Sequence, residues 1–448
     1  MTREIRRILL ECTQIYESRG TTGIPRVVRN LAEAGQVAAG ERGLELLPVV
    51  MRGSRMYAAH VRPAGLDNRP TATVAIQRRV ERWLGFEYGS RFANVAQRVR
   101  TRLRKSLYPR TLVRSVASVW RRYAATELEI TPNDVLVLSG SAWNQSARAA
   151  TELAKQQGLP IGAIIYDLIP VDHPEFFSSR AAGVFRTWID EVARVADFSL
   201  AISQATRERF WQFAVQQHPQ RRWTPPQFAS FALGSKIDTR VAGGRFRHDL
   251  TRAFGGSSGA STYLMVATIE PRKNHAFLLD AFEQVWAARP EVRLCIVGRI
   301  GWLCDSLLRR IRNHPRFGQT LFMFNDLSDG ELDYCYRQAS AFVFPSRAEG
   351  FGLPIVESLS YGLPVLVSDI PIHREVGREF CAYFPLADAA DLARRIEDLE
   401  RTGSLADVAP ARDFQAVDWA DSARDFVGQL VDTVAALSGE AMPRRVAA

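Results

Sequence analysis

Residues 341–376 read AFVFPSRAEGFGLPIVESLSYGLPVLVSDIPIHREV. The apolar run Phe342 to Phe344, stopped by Pro345, predicts a buried strand. A loop with Glu349, Gly350, Phe351 and Gly352 follows. Pro354 then predicts a helix start, because its missing N–H needs no partner in a first turn. A second apolar run, Pro364 to Val367, predicts the next strand. Free backbone amides and the positive end of a helix converge where such a strand ends, which suits an anion. The amides of Phe351, Gly352 and Leu353 are the predicted phosphate donors. Glu349 and Glu357, eight positions apart, are costly beside a phosphate unless they bind hydroxyls. The stretch therefore predicts a site for a nucleotide-linked sugar.

The same alternation extends along the chain. Apolar runs at 5–11, 44–50, 134–138, 161–165, 198–202 and 227–233 predict strands of a first half. Runs at 263–267, 292–297, 321–324, 341–344 and 364–367 predict those of a second. Helical segments fall between them. Two blocks of alternating strand and helix imply an α/β protein of two doubly wound, parallel-sheet domains facing across a cleft. Ligands of such sheets bind at the carboxyl ends of the strands. The expected boundaries are 1–240 for the first domain and 241–411 for the second, with a Gly/Ser-rich linker at 241–260. Residues 412–448 supply a C-terminal helix packing back toward the first domain, then a frayed tail.

The 448 residues exceed one ordinary core, and no run approaches the roughly 20 apolar residues of a membrane span. The five cysteines are scattered, without a Cys-x-x-Cys pair, which favours reduced thiols in a cytoplasmic protein. Charge is uneven. Residues 76–123 hold thirteen basic and two acidic side chains, so the rest of a +10 chain is near −1. Trp83, Phe86, Phe92 and Trp120 interleave with those arginines. This predicted helical insertion could lie on an anionic inner leaflet, pack on the first sheet, or bind nucleic acid, which nothing else in the chain supports. No Asp-x-Asp pair and no Gly-x-x-x-x-Gly-Lys-Ser/Thr loop occurs, so a carboxylate-held divalent ion and ATP hydrolysis are not expected.

With these segments in hand, the chain resembles retaining glycosyltransferases of the GT-B fold, family 4, in the manner of bacterial mannosyl- and rhamnosyltransferases of surface polysaccharides. ATIEPRKNH at 267–275, LCIVGRIGW at 294–302 and RAEGFGLPIVE at 347–357 carry it in the second half. TTGIPRVVRNL at 21–31, YDLIPVDHPEFF at 166–177 and AISQATRERF at 201–210 carry it in the first. The resemblance implies that Lys273 stabilises the departing diphosphate, with Arg272 and Arg299 nearby. It implies that Glu357 holds the ribose and that Glu349 reaches the donor sugar. Gly23 would let the backbone approach the donor. Asp167, preceded by Tyr166 where relatives often carry His, could orient the acceptor hydroxyl or stiffen its loop. Ser203 reads as a helix cap.

The expected activity is transfer of one hexosyl residue, with retention and without metal. The donor is a nucleoside diphosphate sugar, GDP-mannose on resemblance alone, and no cofactor is expected. The acceptor is a saccharide or lipid-linked oligosaccharide hydroxyl. The expected place is the cytoplasm, peripheral to the inner face of the plasma membrane through 76–123. A catalytically inactive nucleotide-sugar-binding or membrane-docking protein on the same fold is the alternative.

Overall fold

The computed structural model describes residues 4–17, 23–59, 127–140, 145–235, 246–255 and 260–439. Residues 76–123, and with them the predicted basic helical insertion, lie outside the described residues.

The first half forms a seven-stranded sheet from β1 (Arg7–Glu11), β2 (Glu45–Arg52), β3 (Arg55–Ala58), β4 (Asp134–Leu138), β5 (Ile161–Ile165), β6 (Phe198–Ala201) and β7 (Phe228–Ser230). Its order is β3-β2-β1-β4-β5-β6-β7. The second half forms a six-stranded sheet from β8 (Thr262–Val266), β9 (Arg293–Val297), β10 (Leu321–Phe324), β11 (Ala341–Phe344), β12 (Val365–Ser368) and β13 (Cys381–Phe384). Its order is β10-β9-β8-β11-β12-β13.

Both sheets are doubly wound, with one departure from the expected parallel pattern. β3 runs antiparallel to β2, pairing Val50 with Tyr57 and Met51 with Met56. The two-residue turn Gly53–Ser54 makes a hairpin of what composition alone reads as one strand and a loop. β13 is also absent from the predicted set, since Cys381–Phe384 is a short run with little β-branched character. The expected linker 241–260 needs a further correction. His248–Phe254 is a helix that buries Leu250 and Ala253 in the second core. The spacing of those two residues is helical, but flanking glycines mask it.

Helices cover both faces of each sheet, which is why the central strands are apolar throughout. On one face of the first sheet, Val27 and Leu31 of the Ile24–Gly40 helix pack with Phe426, Val427 and Leu430 of the Trp419–Gly439 helix. The last described helix thus completes the first domain's core. Trp188, Ile189, Phe210 and Phe213 cover the other face. Among the described residues no helix is long and apolar enough to cross a membrane.

Candidate functional site

Each sheet has a switch point where its strand order reverses direction: β1/β4 in the first and β8/β11 in the second. Crevices open at such points. The segments after β8 and β11 supply the charged residues of the second half, and the segments after β1 and β5 supply those of the first.

After β8 the chain turns sharply. Ala267 N–H bonds to Val297 O at 2.9 Å, and Gly298 N–H to Phe324 O at 2.9 Å. A Cβ on Gly298 would lie 1.6 Å from Ala267 O, so only glycine allows this crossing. A single 3-10 turn, Pro271–Lys273, then presents the basic pair inward, and Asn274 follows in the left-handed region at φ 57°. Lys273 is 7% exposed. Its ammonium pairs with Glu349 and sits 4.9 Å from the centre of the Phe344 ring. Arg272 spans two carboxylates: its Nη1 lies 2.7 Å from Glu349 Oε2, and its Nε 2.5 Å from Glu270 Oε1. The same Nη1 donates to Ala348 O at 3.0 Å. Arg347 N–H bonds to Arg272 O at 2.8 Å, tying the loop after β11 to the loop after β8.

These contacts set the ionisation of the cluster. Burial alone would raise the Glu349 carboxyl, but the adjacent Arg272 and Lys273 cations outweigh it and hold the group at about 2. Burial, and then repulsion from Arg272, pulls the Lys273 ammonium below its ordinary value, while Glu349 pushes it back. Burial raises the Glu270 carboxyl against the pull of Arg272. Asp167, just past β5 on the first domain, is raised by burial as well, against Arg272. Its Oδ1 accepts from Ile169 N–H at 3.0 Å. Asp167 therefore lies within electrostatic reach of the same charge cluster from the first domain, and its bond to Ile169 N–H stiffens its own loop.

The glycine loop meets the first domain directly. A Cβ on Gly350 would lie 2.0 Å from Tyr166 O and 3.1 Å from Asp167 Cβ. Gly352 then adopts φ 100° and caps the Leu353–Ser360 helix, a conformation that disfavours residues with a Cβ. The N–H groups of Phe351, Gly352 and Leu353 find no acceptor among the described residues. That is the state of helix-entry amides available to an anion. Glu357, in the second turn of this helix, is 4% exposed. Its Oε2 accepts from Tyr336 OH at 2.9 Å, and its Oε1 lies 2.6 Å from Arg26 Nη1.

Of the residues expected from the sequence, Lys273, Arg272, Glu349 and Asp167 come together, and Gly350, Phe351, Gly352, Leu353 and Glu357 adjoin them on one loop and helix. Arg299 does not join them. It is exposed in the turn after β9 and takes no part in the ion-pair cluster, although its carbonyl accepts from Ile269 N–H at 2.8 Å. Gly23 caps the Ile24–Gly40 helix at φ 66°, and nothing lies within 4 Å of where a Cβ would stand, so its backbone angle and not crowding within the protein calls for glycine.

Several residues of the site escape sequence reasoning. Glu270 lies inside the 267–275 segment without a signal of its own, and Tyr336 carries no motif. Tyr336 lies 21 positions before Glu357, on another helix, and its ring stacks on Tyr361 at 5.1 Å between centroids. His373, fully buried, donates from Nδ1 to Ser368 O at 2.9 Å and packs beside Phe344. Apolar flanks on a predicted helix are the one sequence signal for it.

With this geometry described, comparison with known proteins places it. Residues 249–409 match the model of the family "Glycosyl transferases group 1". A 239-residue stretch is 31% identical to the serotype-specific mannosyltransferase WbdA of Escherichia coli, covering 52% of this chain and 29% of that protein. The O-antigen chain mannosyltransferase B of Escherichia coli is 38% identical over 114 residues, covering 25% of this chain and 30% of its own. The chain thus spans under a third of the length of these relatives. Among solved structures, Anabaena Alr3699/HepE in complex with UDP-glucose superposes with a TM-score of 0.53 at 16% identity, over 97% of this chain and all of that one. The cleft between two doubly wound sheets is the GT-B fold, and residues 249–409, in its second half, are similar to the glycosyl transferases group 1 family.

Proposed function

We propose that the protein transfers a hexosyl residue, with retention of configuration, from a nucleoside diphosphate sugar to a hydroxyl of a saccharide or lipid-linked oligosaccharide. The observation that carries this reading is the Arg272–Lys273–Glu349 cluster at the β8/β11 switch point, beside three helix-entry amides and one helical turn from the Glu349 loop to Glu357. Transfer makes a diphosphate the leaving group, so negative charge grows on its oxygens. Fixed cations and oriented N–H groups in a dry site stabilise that charge more than the ground state. We assign this role to Lys273, Arg272 and the amides of Phe351, Gly352 and Leu353, in place of a divalent ion.

Glu349 is held ionised by both cations, and incoming phosphate competes for them. Once they turn to phosphate, its carboxylate is released toward the sugar hydroxyls. Glu357 suits the ribose diol, since a carboxylate accepts two O–H bonds. Asp167 reaches the cluster from the acceptor side. Among the described residues no side chain other than these carboxylates is placed as a base, and the departing diphosphate oxygen takes the acceptor proton in this scheme.

Mannose is favoured as the sugar, and GDP-mannose as the donor, by the likeness to mannosyltransferases over 239 and 114 residues. O-antigen synthesis enters through the name of the second of these relatives. Contact with an anionic inner leaflet, and so a peripheral place on the cytoplasmic side, is proposed from the excess of eleven basic charges in 76–123. The test is incubation with labelled GDP-mannose, UDP-glucose and dTDP-rhamnose over a membrane extract, followed by anomeric analysis of the product. Transfer with retained configuration is expected. Protein that binds these nucleotides yet transfers nothing would instead be a binder.

A further inference from the structure

The Glu349 loop is held from both domains. Its own domain supplies β11 and the Leu353–Ser360 helix. The other domain supplies Ser203 and Thr206, both buried, whose hydroxyls donate to Gly350 O at 2.9 and 3.3 Å. Ser203 also accepts from Thr206 N–H at 3.1 Å, which caps the Gln204–Gln217 helix. The two amides before that one donate across the cleft. Gln204 N–H and Ala205 N–H bond to the Glu375 carboxylate at 2.7 and 2.9 Å, and Glu375 lies on the Pro371–Gly377 helix of the second domain.

The exchange is therefore reciprocal. The first domain's helix cap secures a carbonyl of the second domain's loop, and a carboxylate of the second domain completes that cap. Helix-entry amides ordinarily turn to local side chains or water. Here the second of the two partners exists only while the domains are together.

The consequence lies in the Gly350–Phe351 peptide. A trans peptide is planar, so its C=O and N–H point in opposite directions. Fixing Gly350 O toward Ser203 and Thr206 fixes the Phe351 N–H away from them. That N–H has no acceptor among the described residues and belongs to the anion-facing set.

We propose that Ser203, with Thr206, is a positioning residue that aims the Phe351 amide at the leaving diphosphate when the cleft is closed, and that Glu375 holds this cap in register from the opposite domain. The proposal rests on the glycosyl-transfer reading above.

The experiment uses the full chain with GDP-mannose and membrane-extract acceptor, GDP affinity by calorimetry, and Tm. Ser203→Ala should lower kcat on the order of tenfold or more, with GDP Kd and donor KM within about threefold of wild type. Ser203→Thr, which keeps the hydroxyl, should restore most of the loss. Glu375→Ala, at a more exposed position, should lower kcat in the same sense and enlarge the nucleotide-free radius of gyration in solution scattering. It also serves if Ser203→Ala does not fold. Wild-type kcat in both alanine variants overturns the proposal, as does equal loss in Ser203→Thr or an effect on KM alone. Wild-type protein that neither binds GDP nor transfers sugar defeats the parent reading instead.

Discussion

Arg26 and Glu357, 331 positions apart in sequence, form a 2.6 Å ion pair across the cleft. Arg26 stands in the first turn of the Ile24–Gly40 helix of the first domain, and Glu357 is buried in the second. Tyr336 OH takes the other carboxylate oxygen. A ribose diol, if Glu357 receives one as proposed, would therefore compete with Arg26 for Oε1.

The prediction is a competition. Arg26→Met leaves Glu357 with one strong partner and an oxygen for the diol, so guanosine, which lacks phosphate, should bind about three- to tenfold more tightly to the variant than to wild type. Calorimetric titration with guanosine measures it. Unchanged or weaker binding of the nucleoside would show that Glu357 does not receive the ribose.

Lys273 tests the diphosphate role. Its ammonium is buried and paired with Glu349, so Lys273→Ala removes a fixed cation from a dry site. The expected loss in kcat is on the order of a hundredfold or more, while GDP affinity falls far less, because Arg272 and the loop amides remain. Lys273→Arg should recover only part, since a planar guanidinium cannot occupy a pocket shaped for a compact ammonium beside the Phe344 ring. Single-turnover rates set against equilibrium GDP binding separate the two effects. Equal loss of both would contradict a role specific to the transition state.

Why the second domain's site is readable from the sequence while its partners in the first are not follows from chain distance. Glu349 and Glu357 share one loop and helix, and Arg272–Lys273 directly follow a strand, so strand ends and glycines place them. The Arg26–Glu357 and Ser203–Gly350 contacts join residues 331 and 147 positions apart. No local periodicity encodes how two domains face each other. Arg299 shows the converse: a basic residue after a strand looks suitable in sequence, but the turn sends it to solvent. The missed β3 has a similar cause, because an edge hairpin needs only two turn residues and leaves little trace beside a longer strand.

Two glycines separate closure from folding. Gly350→Ala would place a Cβ 2.0 Å from Tyr166 O of the opposite domain. Widening of the cleft relieves that overlap without disturbing either core. GDP binding and Tm should stay near wild type while transfer falls at least about tenfold, because misplacement on the scale of an ångström is enough. Gly298→Ala would place its Cβ 1.6 Å from Ala267 O, within one sheet. No domain motion relieves that, and a loss of several kcal/mol in stability is expected. Urea unfolding and transfer assays on both variants make the comparison. Similar destabilisation in the two would mean that Gly350 serves packing alone.

Two buried histidines give the fold an acid limit. His275 is 1% exposed, and neither ring nitrogen has a partner among the described residues. Burial, helped by the Lys273 charge, lowers it to about 3. Burial likewise lowers His373 to about 4, against the opposing pull of Glu349. In the unfolded chain both titrate near ~6.5. Below that pH the unfolded state binds protons that the folded state refuses. The stability supplied by keeping them neutral is therefore complete above ~6.5 and is lost as pH falls, down to about 4 for His373 and about 3 for His275. Asp167 and Glu270, raised by burial, act in the other direction, but only near the carboxylate range. Glu349, held at about 2, adds to the loss below ~4.5. Between pH 6.5 and 5 the histidines should dominate, at roughly 1–2 kcal/mol each. Urea midpoints at constant ionic strength should fall over that interval in wild type, and by less in His275→Gln, whose amide cannot take up a proton. A flat profile for wild type across the same range would mean that both rings can be protonated in the folded protein at little cost.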